Sequence, residues 1–247
     1  MYDMDTRNRT LELLSSGRSM NSVSKETGIS RAAIRAWQVR INPLPRAERS
    51  PCSGPGDPAA YSYLLGLCLG DGCISSHPRG GHYLRIACAD AWPGLIEQCR
   101  AAILAVRPSD KVYVLQRQGC VNITSYGRHW TCLFPQHGAG RKHERRIVLH
   151  DWQQEIVDDH PWEFLRGLIH SDGCRIINWT VRNGKRYEYP RYFFTNKSDD
   201  IRKLCTDTLA KVGVQWTILA RGSDPLNVSI ARKASVALMD AHIGPKH

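Results

Sequence analysis

Two stretches of this chain are near copies of each other. Tyr63-Leu-Leu-Gly-Leu-Cys-Leu-Gly-Asp-Gly-Cys73 returns as Phe164-Leu-Arg-Gly-Leu-Ile-His-Ser-Asp-Gly-Cys174, and 172 − 71 puts the offset at 101 residues for every matched position. A repeat of that length points to a duplicated domain, since solenoid periods are shorter. The segments beyond the two copies correspond as well. After Asp71 come a short strand at Cys73–Ser75, a Pro/Gly turn at 78–81 and a strand at His82–Cys88. After Asp172 come a strand at Cys174–Val181, an Asn183-Gly184 turn and a strand at Arg186–Thr195. Asn-Gly between two β-type runs is a strong hairpin signal.

The parallel continues. Amphipathic helices are predicted at Leu95–Val106 and Asp200–Val212, followed by strand pairs at Lys111–Gln116 with Cys120–Ser125 and at Gln215–Ala220 with Leu226–Ala231. A last helix is predicted at Lys233–Ile243. Each half therefore reads helix, two strands, helix, two strands, helix. Two such αββαββα halves, 59–150 and 151–247, related by a pseudo-twofold axis, make an α+β fold.

The repeated segment itself reads as a helix ending at its Asp-Gly. Gly66 and Gly70 lie four apart on one face, as do Gly167 and Ser171. Small residues at that spacing let two helix backbones approach closely, here one from each half. The glycine after each aspartate is the usual C-terminal stop. Side-by-side packing would bring Asp71 and Asp172 together at one end. An aspartate at a helix C-terminus opposes the helix dipole, so folding alone does not account for it. Two neighbouring carboxylates call for positive charge, and hard divalent cations suit oxygen ligands.

These stretches resemble two copies of the LAGLIDADG motif, and with the repeat the resemblance spans about residues 60–245. It implies the single-chain, two-motif homing-endonuclease fold, in which the two motif helices form the interface between halves. It implies metal-assisted hydrolysis of DNA, with Asp71 and Asp172 as catalytic metal ligands, Gly70 and Ser171 beside them in the metal site, and Mg²⁺ or Mn²⁺ as cofactor. The first acidic position of the motif is Leu69 in one half and His170 in the other, a departure from the pattern. The family also places a basic or polar residue from the strands near each metal site; Arg85, Gln116, Lys197 and Arg232 are the candidates here.

Charge agrees with a polyanionic partner. Lys plus Arg number 34 against 23 Asp plus Glu, a net +11, and such a surplus reports on partners more than on fold. The segment 175–197 holds six basic residues against Glu188 alone, with Tyr187, Tyr189 and Tyr192 interleaved. The expected DNA contacts in the duplicated region are Arg85, Arg117, Arg175, Arg182, Lys185, Arg186, Arg191, Lys197 and Arg232. A further basic stretch, 127–150, reads as a loop insert. Its His129, Cys132, His137 and His143 are metal-capable types, but their spacing fits no zinc pattern.

Before the duplicated region, 1–42 reads as three short helices at Arg7–Leu14, Asn21–Thr27 and Arg31 to about Arg40. Val23, Ile29, Ile34 and Trp37 are spaced for one apolar centre, and Gly28 supplies a tight turn. Arg31, Arg35, Gln38 and Arg40 fall on the opposite face, suited to phosphates and base edges. The segment resembles the small helix-turn-helix domains of bacterial regulators and transposases. A Pro/Gly/Ser-rich linker is expected over 43–58, with prolines at 43, 45, 51, 55 and 58.

Nine cysteines, several inside apolar patterns, favour a reducing compartment over a disulfide framework. No signal pattern or long apolar stretch is present. The expectation is a cytoplasmic, nucleoid-associated protein, monomeric because its pseudo-dimer is internal, with double-stranded DNA as partner and neither membrane nor small-molecule substrate. The alternative is a non-cleaving, sequence-specific DNA-binding regulator on the same scaffold, since a helix-turn-helix fused to such a scaffold resembles a bacterial sporulation regulator. An intein would need a nucleophile at residue 1 and His-Asn at the end, whereas this chain runs from Met1 to Pro245-Lys246-His247.

Overall fold

The computed structural model describes residues 2–42, 54–78, 80–221 and 224–247. The chain divides into two units, Met1–Pro51 and Cys52–His247. Most of the expected linker, 43–53, lies outside the described residues.

The first unit contains α1 (Met4–Ser15), α2 (Met20–Thr27) and α3 (Arg31–Val39). Asp3, Ser19 and Ser30 cap the three N-termini through their side-chain oxygens, satisfying backbone N–H groups that have no partner within the helix. Gly28 ends α2 in the left-handed region at φ 70°, which turns the chain directly into α3. Val23, Ile29, Ile34 and Trp37 form the buried centre, as their spacing required. Arg7 is buried too: its guanidinium lies 5.3 Å from the Trp37 ring centroid and donates to Ile41 O at 2.8 Å. Arg31, Arg35, Gln38 and Arg40 are all exposed, and Arg31 donates to Asn21 Oδ1 at 3.0 Å.

The second unit is α+β and repeats itself. Its first half runs α4 (Pro58–Asp71), β1 (Gly72–Ser76), β2 (His82–Ala89), α5 (Pro93–Val106), β3 (Val112–Arg117) and β4 (Cys120–Gly127). The short helix α6 (Trp130–Leu133), a 3-10 turn at Lys142–Glu144 and helix α7 (Asp151–Asp159) then lead into the second half. That half runs α8 (Pro161–Asp172), β5 (Gly173–Arg182), β6 (Lys185–Thr195), α9 (Asp199–Lys211), β7 (Thr217–Arg221), β8 (Asp224–Ile230) and α10 (Lys233–His242). Each half builds a four-stranded antiparallel sheet in the same order, β1-β2-β4-β3 and β5-β6-β8-β7.

Alternation along the strands decides what each sheet face does. Leu84, Ile86 and Cys88 of β2, with Val121 and Ile123 of β4, turn toward α5 and are buried; Tyr192, Phe194, Val228 and Ile230 share one buried face of the second sheet. Among the described residues, the opposite faces carry no helix layer. Helices α4 and α8 run side by side between the halves and share one continuous core with both sheets. Among the described residues no helix is long and apolar enough to cross a membrane.

The two hairpins differ in reach. Asn183 and Gly184, at φ 51° and 74°, form the tight turn that the sequence predicts between β5 and β6. Only Tyr192–Thr195 of β6 pair with β8, so the rest of β5–β6 continues past the sheet as a two-stranded ribbon. Trp179, which pairs with Glu188 in that ribbon, is 60% exposed.

Candidate active site

The site begins with how closely α4 and α8 approach. A methyl on Gly66 would lie 2.5 Å from Phe164 O and 2.7 Å from Leu168 N, both backbone atoms. One on Gly167 would collide with Tyr63 O and come within 2.9 Å of Gly66 Cα. The small residues foreseen at these positions therefore let backbone touch backbone. One turn on, a methyl on Gly70 would meet the Ser171 side chain and come within 3.0 Å of Asp172 Oδ2. Asp71 and Asp172 end their helices at the same end of this contact.

Each aspartate is followed by a glycine, but not for the expected reason. Gly72 (φ −86°) and Gly173 (φ −111°) are extended, so neither is the left-handed stop anticipated from Asp-Gly. Their role is steric. A Cβ on Gly72 would lie 2.5 Å from Cys68 Cα, and one on Gly173 would lie 2.7 Å from Ile169 Cα. The chain folds back over the last helical turn as it enters β1 or β5, and only glycine fits there.

Burial, reinforced by the neighbouring Asp172 charge, pushes the Asp71 carboxyl above the ordinary carboxylate range against the pull of Lys142 and Lys246. Burial also raises Asp172, opposed by a hydrogen bond from Asn196 Nδ2 to its Oδ2 at 2.6 Å and by the same two lysines. The lysines arrive from outside the repeated helices. Lys142 Nζ donates to Cys68 O at 2.8 Å and to Gly70 O at 2.5 Å. Lys246 Nζ donates to Ser171 O at 3.1 Å. Gly70 and Ser171 are equivalent positions of the repeat, so each helix end has its carbonyl capped by one ammonium. Burial lowers both ammoniums from the ordinary lysine range, while the two aspartates, among other groups, pull them back up.

None of the four expected basic or polar partners occupies this place. Arg85 donates to Ser75 Oγ and stacks on Tyr83, 4.8 Å from the ring centroid. Gln116 Nε2 donates to Arg117 O at 3.2 Å, Arg232 donates to Gln215 Oε1, and Lys197 is exposed. The polar residue at the site is Asn196, immediately after the end of β6 and one position before Lys197. Lys142 sits in the insert after β4 and Lys246 follows α10, so neither belongs to a strand. Neither lysine carries a local sequence signal, because they come from irregular segments that do not correspond between the halves.

The halves are not identical at the position that Asn196 occupies. Gly72 pairs with Ile86 and Gly173 with Phe194, so Cys88 and Asn196, each two residues further on, are equivalents. Asn196 holds Asp172. The Cys88 thiol is engaged with Cys99, although it still senses the Asp71 charge. The departures at the motif's first acidic position are both buried. Leu69 joins the core, and His170 bonds through Nδ1 to Tyr63 Oη at 2.9 Å. Burial, with nearby cations, pushes His170 down to about 4, so its imidazole is neutral.

The oxygens available at the helix ends are two carboxylates and the carbonyls of Gly70 and Ser171. These are hard donors, suited to Mg²⁺, Mn²⁺ or Ca²⁺ and unsuited to soft metals. Two carboxylates that burial makes costly to ionise, with the Asp172 charge adding to that cost at Asp71, fit a divalent cation. The His129, Cys132, His137 and His143 set does not converge. Among the described residues no cluster of three or more His, Cys, Asp or Glu could hold a metal ion.

The cations expected to meet DNA fall on both sheet faces. Arg182, Lys185 and Arg191 share the helix-free face of the ribbon with Tyr187 and Tyr189, and Arg85 and Arg117 lie on the corresponding face of the first sheet. Arg175 and Arg186 are on the other face. Arg175 is held by Asp240 at 2.6 Å, which also accepts from Tyr192, and Arg186 pairs with Glu188 at 2.9 Å.

No family model matches the chain, and no curated protein matches it. Solved structures do. I-DmoI in complex with DNA and Mn is 15% identical, covers 77% of this chain and 98% of its own, and superposes with a TM-score of 0.50. Mesophilic variants of the homing endonuclease I-DmoI are 17% identical, with coverage of 75% and 96% and a TM-score of 0.50. At this identity the likeness shows the fold alone, an α+β architecture with two antiparallel four-stranded sheets, consistent with the LAGLIDADG-like fold that the two motifs implied.

Proposed function

We propose that this chain is a site-specific double-strand DNA endonuclease acting by metal-assisted phosphodiester hydrolysis. The carrying observation is the pairing of Asp71 and Asp172 at the ends of two helices in backbone contact, with Gly70 O and Ser171 O beside them. Asp71 and Asp172 would hold Mg²⁺ or Mn²⁺. Such an ion lowers the pKa of a bound water and offsets charge on the attacked phosphorus. Asn196 orients the Asp172 carboxylate, and Lys142 and Lys246 supply positive charge at the point where a scissile phosphate would add negative charge.

DNA would lie along the helix-free faces of the two sheets, where cations alternate with tyrosines. I-DmoI was crystallised with DNA and Mn, which supports carrying that partner and metal class to this chain. The first unit, with Gly28 between α2 and α3 and an exposed basic face on α3, would act as a helix-turn-helix that extends the contact. The protein would work as a monomer.

The test is cleavage of a randomised-site plasmid library by the purified chain with Mg²⁺ or Mn²⁺, against an EDTA control. Metal-dependent cuts at one long site, abolished in Asp71→Asn and Asp172→Asn, are expected. Salt-sensitive specific binding without cleavage under either metal would instead make the protein a regulator on this scaffold.

A further inference from the structure

The geometry around Lys142 and Lys246 carries more than charge balance. At each helix end the last carbonyls project from the negative pole of the helix dipole, and a carboxylate sits beside them. Two such ends converge, since Gly70 is packed against Ser171 and Asp172. Lys142 Nζ takes two oxygen partners at 2.5 and 2.8 Å, Gly70 O and Cys68 O. Lys246 Nζ takes Ser171 O at 3.1 Å. The lysines come from different segments, the turn at Lys142–Glu144 and the tail beyond α10, yet they reach equivalent carbonyls of the two repeats. An ammonium bound to carbonyl oxygens beside a carboxylate is a monovalent cation on the oxygens that a divalent cation would use.

We infer that Lys142 and Lys246 are the resident counter-cations of this site, each capping one of the two converging helix ends in the absence of metal, and that a divalent cation enters by displacing their ammoniums from Gly70 O and Ser171 O. The inference rests on the metal-binding reading above and adds to it an exchange. The oxygens are limiting. Gly70 O cannot keep a 2.5 Å bond to an ammonium and also ligate a cation at the 2.0–2.6 Å typical of Mg²⁺ or Ca²⁺ without placing two positive charges almost in contact. A released ammonium remains tethered nearby and becomes free to meet an incoming phosphate. Metal entry and phosphate capture would thus be linked through the same two side chains.

The exchange makes a counterintuitive prediction: removing positive charge from these positions strengthens metal binding while weakening the metal-free protein. A like charge within a few ångströms commonly costs a charged state a factor of ten or more. Lys142→Met/Lys246→Met should therefore bind Mn²⁺ at least about tenfold more tightly than wild type in the absence of DNA, read by titration calorimetry or by loss of the free-ion paramagnetic resonance signal. In EDTA the double variant should melt below wild type, and millimolar Ca²⁺ should restore it while moving wild type less. Lys142→Gln/Lys246→Gln guards against a folding failure peculiar to methionine. Lys142→Arg/Lys246→Arg, which keeps the charge, should show no tighter binding.

If wild type binds Mn²⁺ through Asp71 and Asp172 and neither neutral double variant binds it more tightly, the exchange is wrong and the nuclease reading stands. If no variant binds Mn²⁺, both the metal site and the exchange fail. Equal tightening in the arginine variant would also overturn the exchange, because the effect would not follow charge.

Discussion

Replacing Gly66 with alanine sets two well-known effects against each other, and the structure decides which wins. Within an isolated helix, Gly→Ala is favourable by about 1 kcal/mol because the unfolded chain loses freedom and the helix gains a good former. Here the new methyl would lie 2.5 Å from Phe164 O, 2.7 Å from Leu168 N and 2.9 Å from Gly167 C. All three are backbone atoms of α8, so no side chain can rotate away. Restoring ordinary contact at 3.4 Å requires α4 and α8 to separate by about 0.9 Å at this level. A gap of that size forfeits a quarter to a half of each dispersion contact along the seam, and overpacking in tight cores costs about 1–3 kcal/mol. Because the obstruction is backbone, the upper end applies, and the net loss after the propensity gain is about 2 kcal/mol. For a unit of this size that lowers Tm by roughly 4–8 °C. Thermal melting followed by circular dichroism measures it directly. An unchanged or raised Tm would show that the two helices do not approach this closely, and the placement of Asp71 beside Asp172 would fall with it.

The site and the ribbon give two further expected outcomes. Asp71 and Asp172 both ionise less readily in the fold than in the open chain, whose reference value is 3.8, so their charges destabilise the metal-free protein above the raised folded values. Asp71→Asn should therefore abolish cleavage yet raise Tm at pH 7, and the gain should vanish as pH falls toward 3.8; a Tm loss at pH 7 would contradict the burial and repulsion that raise these groups. Replacing Arg182, Lys185 and Arg191 together by alanine should reduce the slope of log K against log salt for DNA binding by roughly 2 to 3 with the fold intact, and an unchanged slope would remove the ribbon from the DNA contact.

Most of the fold was legible because it repeats. A one-off apolar run such as 63–69 is ambiguous, but its return at the same offset with matching strands behind it fixes both as helices. The helix-packing face was legible because Gly66, Gly70, Gly167 and Ser171 have only one economical use at that spacing. The glycines after the aspartates misled, because Asp-Gly at a helix end looks the same whether glycine provides a left-handed turn or merely lacks a side chain. Helix α7 and the path of 128–150 had no repeat to compare against. Lys142 and Lys246 were missed for a related reason: long side chains on irregular segments reach the site through tertiary folding, and no local periodicity marks them. Asn196 was not legible because the longer second hairpin breaks the 101-residue offset: its equivalent, Cys88, lies 196 − 88, or 108, residues earlier.

The unequal hairpins give the molecule a handed sense of left and right. β6 runs from Lys185 to Thr195, but its pairing with β8 begins only at Tyr192, so seven residues reach roughly 23 Å beyond the sheet at about 3.3 Å per residue. Among the described residues the first half has no such arm, its β2 pairing with β4 along its whole length from His82 to Ala89. A duplex bound as proposed would be gripped farther out on one flank than on the other. Inverting its flanks around the same central bases would present a different site, so under that proposal a target would have a direction although the scaffold is built from two like halves.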